Sequence, residues 1–461
     1  MRWASAFLVS VAVWSVPPAA TAQSLREALE AAYTFSPELA AERARTRSTD
    51  ENVFTAQGAW LPTVTLTGTA TQSVESTKAD AGTTAHGGTS ETSGSLTVSY
   101  TLYNGGSRDA ELRQAREQSG GARADLMTTE QRVLADTAIA YVDVLVNRRL
   151  LTAQQDNLFE LQDFLDRLET LVESGQRTAF DIADTRIHIG ETLSDIAAQQ
   201  QVVDDAEARF RRFVGSAPAE VGDYPEFLDM PQTEGDAVAS ALADNPEVLS
   251  AKAAVRAAEE AVRVAKAGRL PTVDVSGSVN REDVFTAPTD SAIGTAGEST
   301  YGAVELSVSV PLFQAGTEFS AIRQAKQTAN AERLSLKAIE ERVRQETSTA
   351  WSQLAFSQRQ VSAAESRLDA ATFSVDALRR RLEEGRISLL DALDVNERYI
   401  AAQTALLQAH GAVRTAEVRL LQAIGRFGAG DLQLDVTPYD PDEYYRRISD
   451  NLLTLDVDEA R

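Results

Sequence analysis

Cysteine is absent from the 461 residues, histidine occurs only at His86, His188 and His410, and aromatic side chains make up just 6% of the chain. The missing cysteine excludes a disulfide scaffold, an iron–sulfur protein, a zinc ribbon and a lipid-modified N-terminal cysteine. With three scattered histidines an H-E-x-x-H protease is excluded too, and no resident metal or cofactor is expected. Basic residues are outnumbered, 44 Lys and Arg against 68 Asp and Glu, for a net charge of -24. The chain therefore lacks the basic face that a nucleic-acid partner requires. No G-x-S-x-G elbow, no G-x-x-x-x-G-K phosphate loop and no histidine beside an acidic cluster is visible in the linear sequence, so an enzyme is not expected.

Long hydrophobic runs are scarce as well. Arg2 is the only charge before an apolar stretch from Trp3 to Val16, and Pro17, Pro18 and Ala20-Thr21-Ala22 follow it. This is the pattern of a secretory signal peptide over residues 1–22, with the mature chain expected to begin at Gln23. The stretch is shorter than the roughly 20 residues a spanning helix needs. No later stretch is long enough, so the exported product is either soluble or embedded as β-strands.

What the chain does have is an internal repeat. Ser36-Pro37-Glu38-Leu39 corresponds to Asn245-Pro246-Glu247-Val248, and Leu61-Pro62-Thr63-Val64 to Leu270-Pro271-Thr272-Val273. Further on, Leu112-Arg113-Gln114-Ala115 corresponds to Ile322-Arg323-Gln324-Ala325, and Gly175, Asp181 and Gly215 to Gly385, Asp391 and Gly425. A fixed register across helical, extended and loop-like segments implies duplication rather than chance likeness of Ala-rich helices. The expected organisation is a first repeat at 23–215, a linker at 216–235, a second repeat at 236–425 and a tail at 426–461.

Each repeat contains two alternating segments. Val64, Leu66, Gly68 and Ala70 alternate with threonines, and Leu96, Val98, Tyr100 and Leu102 alternate with Ser and Thr. In the second repeat Val273, Val275, Gly277 and Val279, then Leu306, Val308, Val310 and Leu312, do the same. Period two with one apolar and one Thr/Ser face predicts strands of about 9 to 11 residues. Such strands suit either a half-buried soluble sheet or a transmembrane barrel with its apolar face toward lipid. Trp60, Tyr103, Tyr301 and Phe313 are placed as an aromatic girdle would be, and residues 75–94 and 285–300 read as external loops.

Two very long helices follow. Ser107 to Glu173 is interrupted only by Gly120-Gly121, and Thr317 to Glu384 contains neither Gly nor Pro. At 1.5 Å per residue each would be about 100 Å long. Val144, Leu151, Leu158, Leu165 and Val172 fall seven apart, as do Leu354, Val361, Leu368, Val375 and Leu382. A sustained heptad predicts side-by-side helix packing, in a multi-helix wall or an ordinary coiled coil. The return segments Thr178 to Val214 and Pro246 to Ala267 would together match one long helix. Four strands cannot close a barrel, so a barrel-forming chain must oligomerise.

The duplicated halves, the Leu-Pro-Thr-Val lead into each first strand, the Leu102-Tyr103-Asn104-Gly105-Gly106 and Leu312-Phe313-Gln314-Ala315-Gly316 exits, and the turns at 175–181 and 385–391 resemble the TolC outer-membrane family. Phe213-Val214-Gly215-Ser216-Ala217-Pro218 and Pro438-Tyr439-Asp440-Pro441 are most similar to its type I secretion branch. The resemblance implies an α+β membrane protein: a homotrimer with a 12-stranded transmembrane β-barrel, four strands per chain, in outer-membrane lipid, continued by a long periplasmic α-helical barrel. It also implies a passive exit duct working with a periplasmic adaptor and an inner-membrane transporter, preferentially of the ABC type. The alternative is an exported coiled-coil spacer or adaptor without a pore.

Asp391 and Asp394 match the family's acidic selectivity ring at the closed periplasmic entrance, and the repeat equates them with Asp181 and Asp184. Residues three apart share a helix face, so in a trimer these pairs would form stacked acidic rings; equally, Asp near a helix N-terminus serves as a cap. The family's closed-tip latch positions hold Leu382 and Ile387 here, which leaves Arg177 and Arg386 as replacement links. The turns Ser174-Gly175-Gln176 and Glu384-Gly385-Arg386 resemble the family's adaptor contact.

Overall fold

The computed structural model describes residues 24–78, 84–220, 222, 224, 230–287, 295–383 and 389–450. The signal peptide, Glu384, Gly385, Arg386 and Ile387 lie outside these, as does the side chain of Leu382. The described residues form nine helices and one sheet: α1 (Leu25–Phe35), α2 (Pro37–Gly58), β1 (Thr63–Lys78), β2 (Thr84–Asn104), α3 (Ser107–Glu173), α4 (Ala179–Val214), α5 (Glu234–Asp244), α6 (Pro246–Ala267), β3 (Thr272–Ala287), β4 (Thr295–Ser309), α7 (Thr317–Glu383), α8 (Leu389–Ala423) and α9 (Pro441–Asp450). None of these helices is long and apolar enough to cross a membrane.

Contacts divide the chain into two compact units. One contains the sheet, the described parts of residues 40–128 and 242–343, and the tail from Tyr439. Its four strands form an antiparallel meander in the order β1-β2-β3-β4. The register brings the alternating apolar residues together on one face. Val64 lies opposite Val98 and Leu66 opposite Leu96; Val98 then pairs with Gly277, Leu96 with Val279 and Tyr100 with Val275; Val275 pairs with Leu306 and Val273 with Val308. The other face carries Thr65–Thr97, Ser99–Ser276 and Asp274–Ser307. A one-residue slip would mix the two faces, so the pattern specifies this register strongly.

Among the described residues much of the apolar face is uncovered: Leu66 is 78% exposed and Val304 85%. β1 and β4 are edge strands of 16 and 15 residues. Long edges free of Pro, beside an exposed apolar face, are what a soluble protein avoids.

The strands are longer than the alternation predicts: β1 and β3 have 16 residues, β2 has 21 and β4 has 15. Pairing continues from Glu75–Gly87 to Lys78–Thr84 and from Phe285–Ala296 to Thr286–Thr295, so much of the two expected loops is hairpin. Hydropathy alternates only where one face meets an apolar medium. Backbone pairing persists beyond it, because Thr-rich segments favour strands and their N–H and C=O groups still need partners. The girdle also needs correction at one residue. Tyr301 stands opposite Asn280 and so projects from the polar face. Tyr103, by contrast, reaches the apolar side opposite Val273 through a register shift between Thr101 and Tyr103, a bulge that re-aims the side chain.

Helices flank the sheet in sequence and pack within this unit. Asn245 caps α6 by accepting from the Glu247 N–H, with Pro246 in the first turn, an arrangement suited to helix initiation. The C-terminal helix α9 packs on α2 through Phe54, Tyr444, Tyr445 and Ile448. Near it, Asp50 is fully buried, accepts a short hydrogen bond from Ser119 and lies 3.8 Å from Arg123. Its Oδ2 is buried without a hydrogen-bond partner, and burial is the main cause holding its carboxyl above the usual range. Within the expected tail at 426–461, Pro441–Asp450 is this docked helix.

The other unit comprises the described parts of residues 1–39, 129–241 and 344–438. Ala28, Ala32, Tyr141, Val144, Ala206, Phe210 and Val214 form an apolar cluster in it, joining α1, α3 and α4. Small residues let these helices approach closely: a Cβ on Gly411 of α8 would meet the Val146 Cγ2 of α3 at 2.6 Å. Val144 and Leu354 of the two heptad series are buried, and Leu151, Leu158, Leu165, Val361, Leu368 and Val375 are half-buried.

Candidate functional site at the helix tip

α3 reverses into α4 through Ser174-Gly175-Gln176-Arg177-Thr178. The Gly175 N–H donates to the Val172 carbonyl at 3.0 Å and the Gln176 N–H to the Leu171 carbonyl at 2.9 Å, with Gly175 at φ +74°. This pair of bonds is a Schellman closure, and its left-handed residue favours glycine. Ser174, Gly175 and Gln176 are all exposed, so the turn presents its backbone to solvent. Arg177 is half-buried beside it.

Asp181 is committed to this reversal. Its Oδ2 accepts from both the Thr178 N–H and the Thr178 hydroxyl at 2.9 Å, satisfying an otherwise orphan donor at the start of α4. The capping role weighed for the first-repeat pair is therefore realised at Asp181. Asp184 differs: it is half-buried and its Oδ2 is buried without a hydrogen-bond partner. In the second repeat Asp391 is exposed near the start of α8, and Asp394 pairs with Arg398 at 2.7 Å, one turn on. Both partners of that pair are well exposed, so it contributes little stability but offsets part of the local negative charge.

An apolar seam positions these groups. Leu161 and Leu168 of α3 and Leu393 of α8 are buried together, with Phe164, Ile182 and Ile189 against them. Because Ile182 and Ile189 turn inward one heptad apart, Asp181, Asp184 and His188 run along an adjacent stripe of α4. Asn396 of α8 donates to Asn157 of α3 at 2.7 Å, and Arg186 of α4 reaches Glu169 of α3 at 3.0 Å. Beside the seam a cleft of about 520 Å³ is lined by Phe159, Phe164, Val375, Leu378 and Leu393 among others.

The tip holds one further cluster that the linear sequence conceals. His188 Nδ1 lies 3.0 Å from Glu397 of α8 and 3.4 Å from Glu191 of α4. The expectation that no histidine stands beside acidic groups is therefore corrected. Folding brings Glu397 to His188 from the opposite repeat, a contact no local pattern reports. The spacing was still suggestive: Glu191 follows His188 by three residues and Glu397 follows Asp394 by three, each extending an acidic stripe.

Known proteins place this architecture. The family model described as outer membrane efflux protein matches the chain twice, over residues 28–216 and 237–426. The outer membrane efflux protein BepC of Brucella suis biovar 1 is 30% identical over 444 residues, 96% of this chain and 94% of that one. The pyoverdine export outer membrane protein OpmQ of Pseudomonas aeruginosa is 25% identical over 429 residues, covering 89% of this chain and 87% of its own. The solved outer-membrane channel OprN shares the fold, with a TM-score of 0.70 at 21% identity over 87% of this chain and 89% of that one. With its duplicated helical and strand repeats and a four-stranded sheet apolar on one face, the chain belongs to the outer membrane efflux protein family, a TolC-like channel protein of the outer membrane.

Proposed function

We propose that the protein is the passive exit duct of a tripartite export system, three copies pairing their sheets into one barrel and their helices into a periplasmic tunnel. The observation that carries this reading is the sheet: an apolar face that is largely exposed, Leu66, Val304, Leu306 and Val308 most of all, and two long edges, β1 and β4, without a strand partner among the described residues. Edge pairing between copies would remove both edges, and lipid would cover the apolar face. Each new copy would add four strands, so three give twelve.

Gating is assigned to the acidic tip. Asp391 and Asp394, with Asp184, would narrow the tunnel as stacked carboxylates, favouring cations over anions. The exposed Ser174-Gly175-Gln176 turn supports adaptor contact, and Glu384, Gly385 and Arg386 would be its counterpart in the second repeat. Arg177 and Arg386 remain the proposed latch. Energy would come from an inner-membrane transporter, and the motifs at 213–218 and 438–441 favour an ABC type working in type I secretion. The likeness to the efflux protein BepC and to OpmQ, a pyoverdine export protein, supports efflux through the same duct as well.

Single-channel conductance in a planar bilayer tests the reading. Wild type should open as a cation-selective pore, and Asp391→Ala plus Asp394→Ala should weaken both selectivity and block by multivalent cations. A wild type that never conducts would refute the duct and favour the exported rod. A double variant indistinguishable from wild type would refute the gate alone.

A further inference from the structure

Within the helix tip, His188, Glu191 and Glu397 converge from α4 and α8, and their ligand atoms all lie within 4.8 Å of one another. We propose that they form a divalent transition-metal site, best suited to Zn2+, that ties the first repeat to the second just above the acidic pairs.

The two imidazole-to-carboxylate separations suit the ion. Zinc binds imidazole nitrogen and carboxylate oxygen at about 2.0–2.2 Å, so two ligands at a tetrahedral angle stand roughly 3.3–3.5 Å apart. The two imidazole-to-carboxylate separations here, 3.0 and 3.4 Å, bracket the lower end of that range. A single Nδ1–H carries one proton and cannot bond well to two carboxylates at once. A dication accepts the nitrogen lone pair and one oxygen from each carboxylate, and it neutralises two like charges on facing helices.

The ligand set of one imidazole and two carboxylates is borderline in softness, which selects Zn2+ and its neighbours over Ca2+ or Mg2+. Three protein ligands leave a fourth position for water or for a group from another chain. The site has an open approach, since the Glu191 and Glu397 side chains are 67% and 60% exposed, while His188 is held at 24%.

Its place in the chain gives it a consequence. His188 is four residues beyond Asp184 and Glu397 three beyond Asp394, so the site stands about 4.5 to 6 Å along the helix axes from the acidic pairs. A metal there would hold α4 and α8 together and resist their separation. That regulatory part rests on the duct reading, whereas binding itself does not.

Equilibrium dialysis of chelator-stripped full-length protein in detergent against micromolar Zn2+, with metal counted by mass spectrometry, separates the two. Wild type should retain one zinc per chain. His188→Ala should lose it, and Glu397→Gln should bind at least tenfold more weakly. Asp391→Asn plus Asp394→Asn should keep it, with circular dichroism confirming folded helices in every variant. Wild type that takes up no zinc leaves an ion pair only and overturns the site. So does His188→Ala that binds fully, or loss in the double Asp variant, which would assign the metal to the acidic pairs. In bilayers, Zn2+ should lower open probability in wild type and not in His188→Ala; a wild-type pore indifferent to bound zinc overturns the regulatory role.

Discussion

Leu306 is where the membrane assignment is most exposed to refutation. It lies on the apolar face opposite Val275 and is 65% exposed. On its strand and the exit after it, the apolar positions run from Gly302 to Leu312. Ten residues at about 3.4 Å cover roughly 34 Å, and a strand tilt near 40° reduces this to about 26 Å of height. That matches the apolar band of about 25 Å on an outer-membrane barrel, with Leu306 close to its middle. Leu306→Arg should therefore cost about 2–4 kcal/mol per chain, a factor of roughly 30 to 1,000 in the folding equilibrium. If the same face met water, an exposed Leu→Arg change would stay within about 0.5 kcal/mol.

Its sequence neighbour provides the control. Ser307 projects from the polar face opposite Asp274, so Ser307→Arg would place opposite charges across the strands, a pairing that is neutral to favourable by up to about 1 kcal/mol. Urea titration of folding into lipid vesicles, followed by the heat-modifiable gel band, measures both. The reasoning fails if Leu306→Arg folds as wild type does, or if Ser307→Arg is penalised equally.

Three further outcomes follow from packing and titration. Gly411→Ala should destabilise the helical unit by about 1–3 kcal/mol through its clash with Val146, and adding Val146→Ala should recover most of it in a double-mutant cycle. Tyr444 donates a short hydrogen bond to Glu51, and burial pushes its phenol up to about 12. Tyr444→Phe should cost about 1.5–3 kcal/mol and expose α9 to early proteolysis. Asp50 has a folded pKa raised above its ordinary 3.8 by burial, so the folded state binds its proton more tightly. Its contribution is greatest below the unfolded value and is lost as pH rises through the folded one. Asp50→Asn should remove that component, giving a melting temperature that gains less than wild type between pH 7 and pH 4.

The parts of the molecule that the sequence announced are those governed by a repeating local rule. The period of two in Val273-Asp274-Val275-Ser276 set which face each residue would take, and the register agrees. Long Gly- and Pro-poor stretches fixed the extent of α3 and α7 almost to the residue. Pro37 and Pro246 read as helix starts, which α2 and α6 bear out, whereas the short helices α1 and α5 that end just before them stay unread. A proline at a first helical turn ends the preceding helix as surely as it opens the next. The hairpins beyond the apolar band were missed because hydropathy reports the medium and not the hydrogen bonding.

The tip shows the same boundary within a single site. Asp181 and Asp391 are equivalent under the repeat; Asp181 caps Thr178 and its charge is drawn into the turn, while Ser388, the counterpart of Thr178, lies outside the described residues. Position 398 diverges from its counterpart His188: one supplies a guanidinium to Asp394, the other an imidazole to Glu397. Duplication thus gave two helices the same acidic stripe, and later substitution one rung above it assigned them different partners. A carboxylate stripe can be seen in one repeat alone. Which cation answers it depends on side chains some 209 residues apart, His188 and Glu397, and only the packing of α4 against α8 brings them within 3.0 Å. Gate selectivity and metal binding at this tip are therefore properties of the paired repeats, and substitutions confined to one repeat should disturb them unequally.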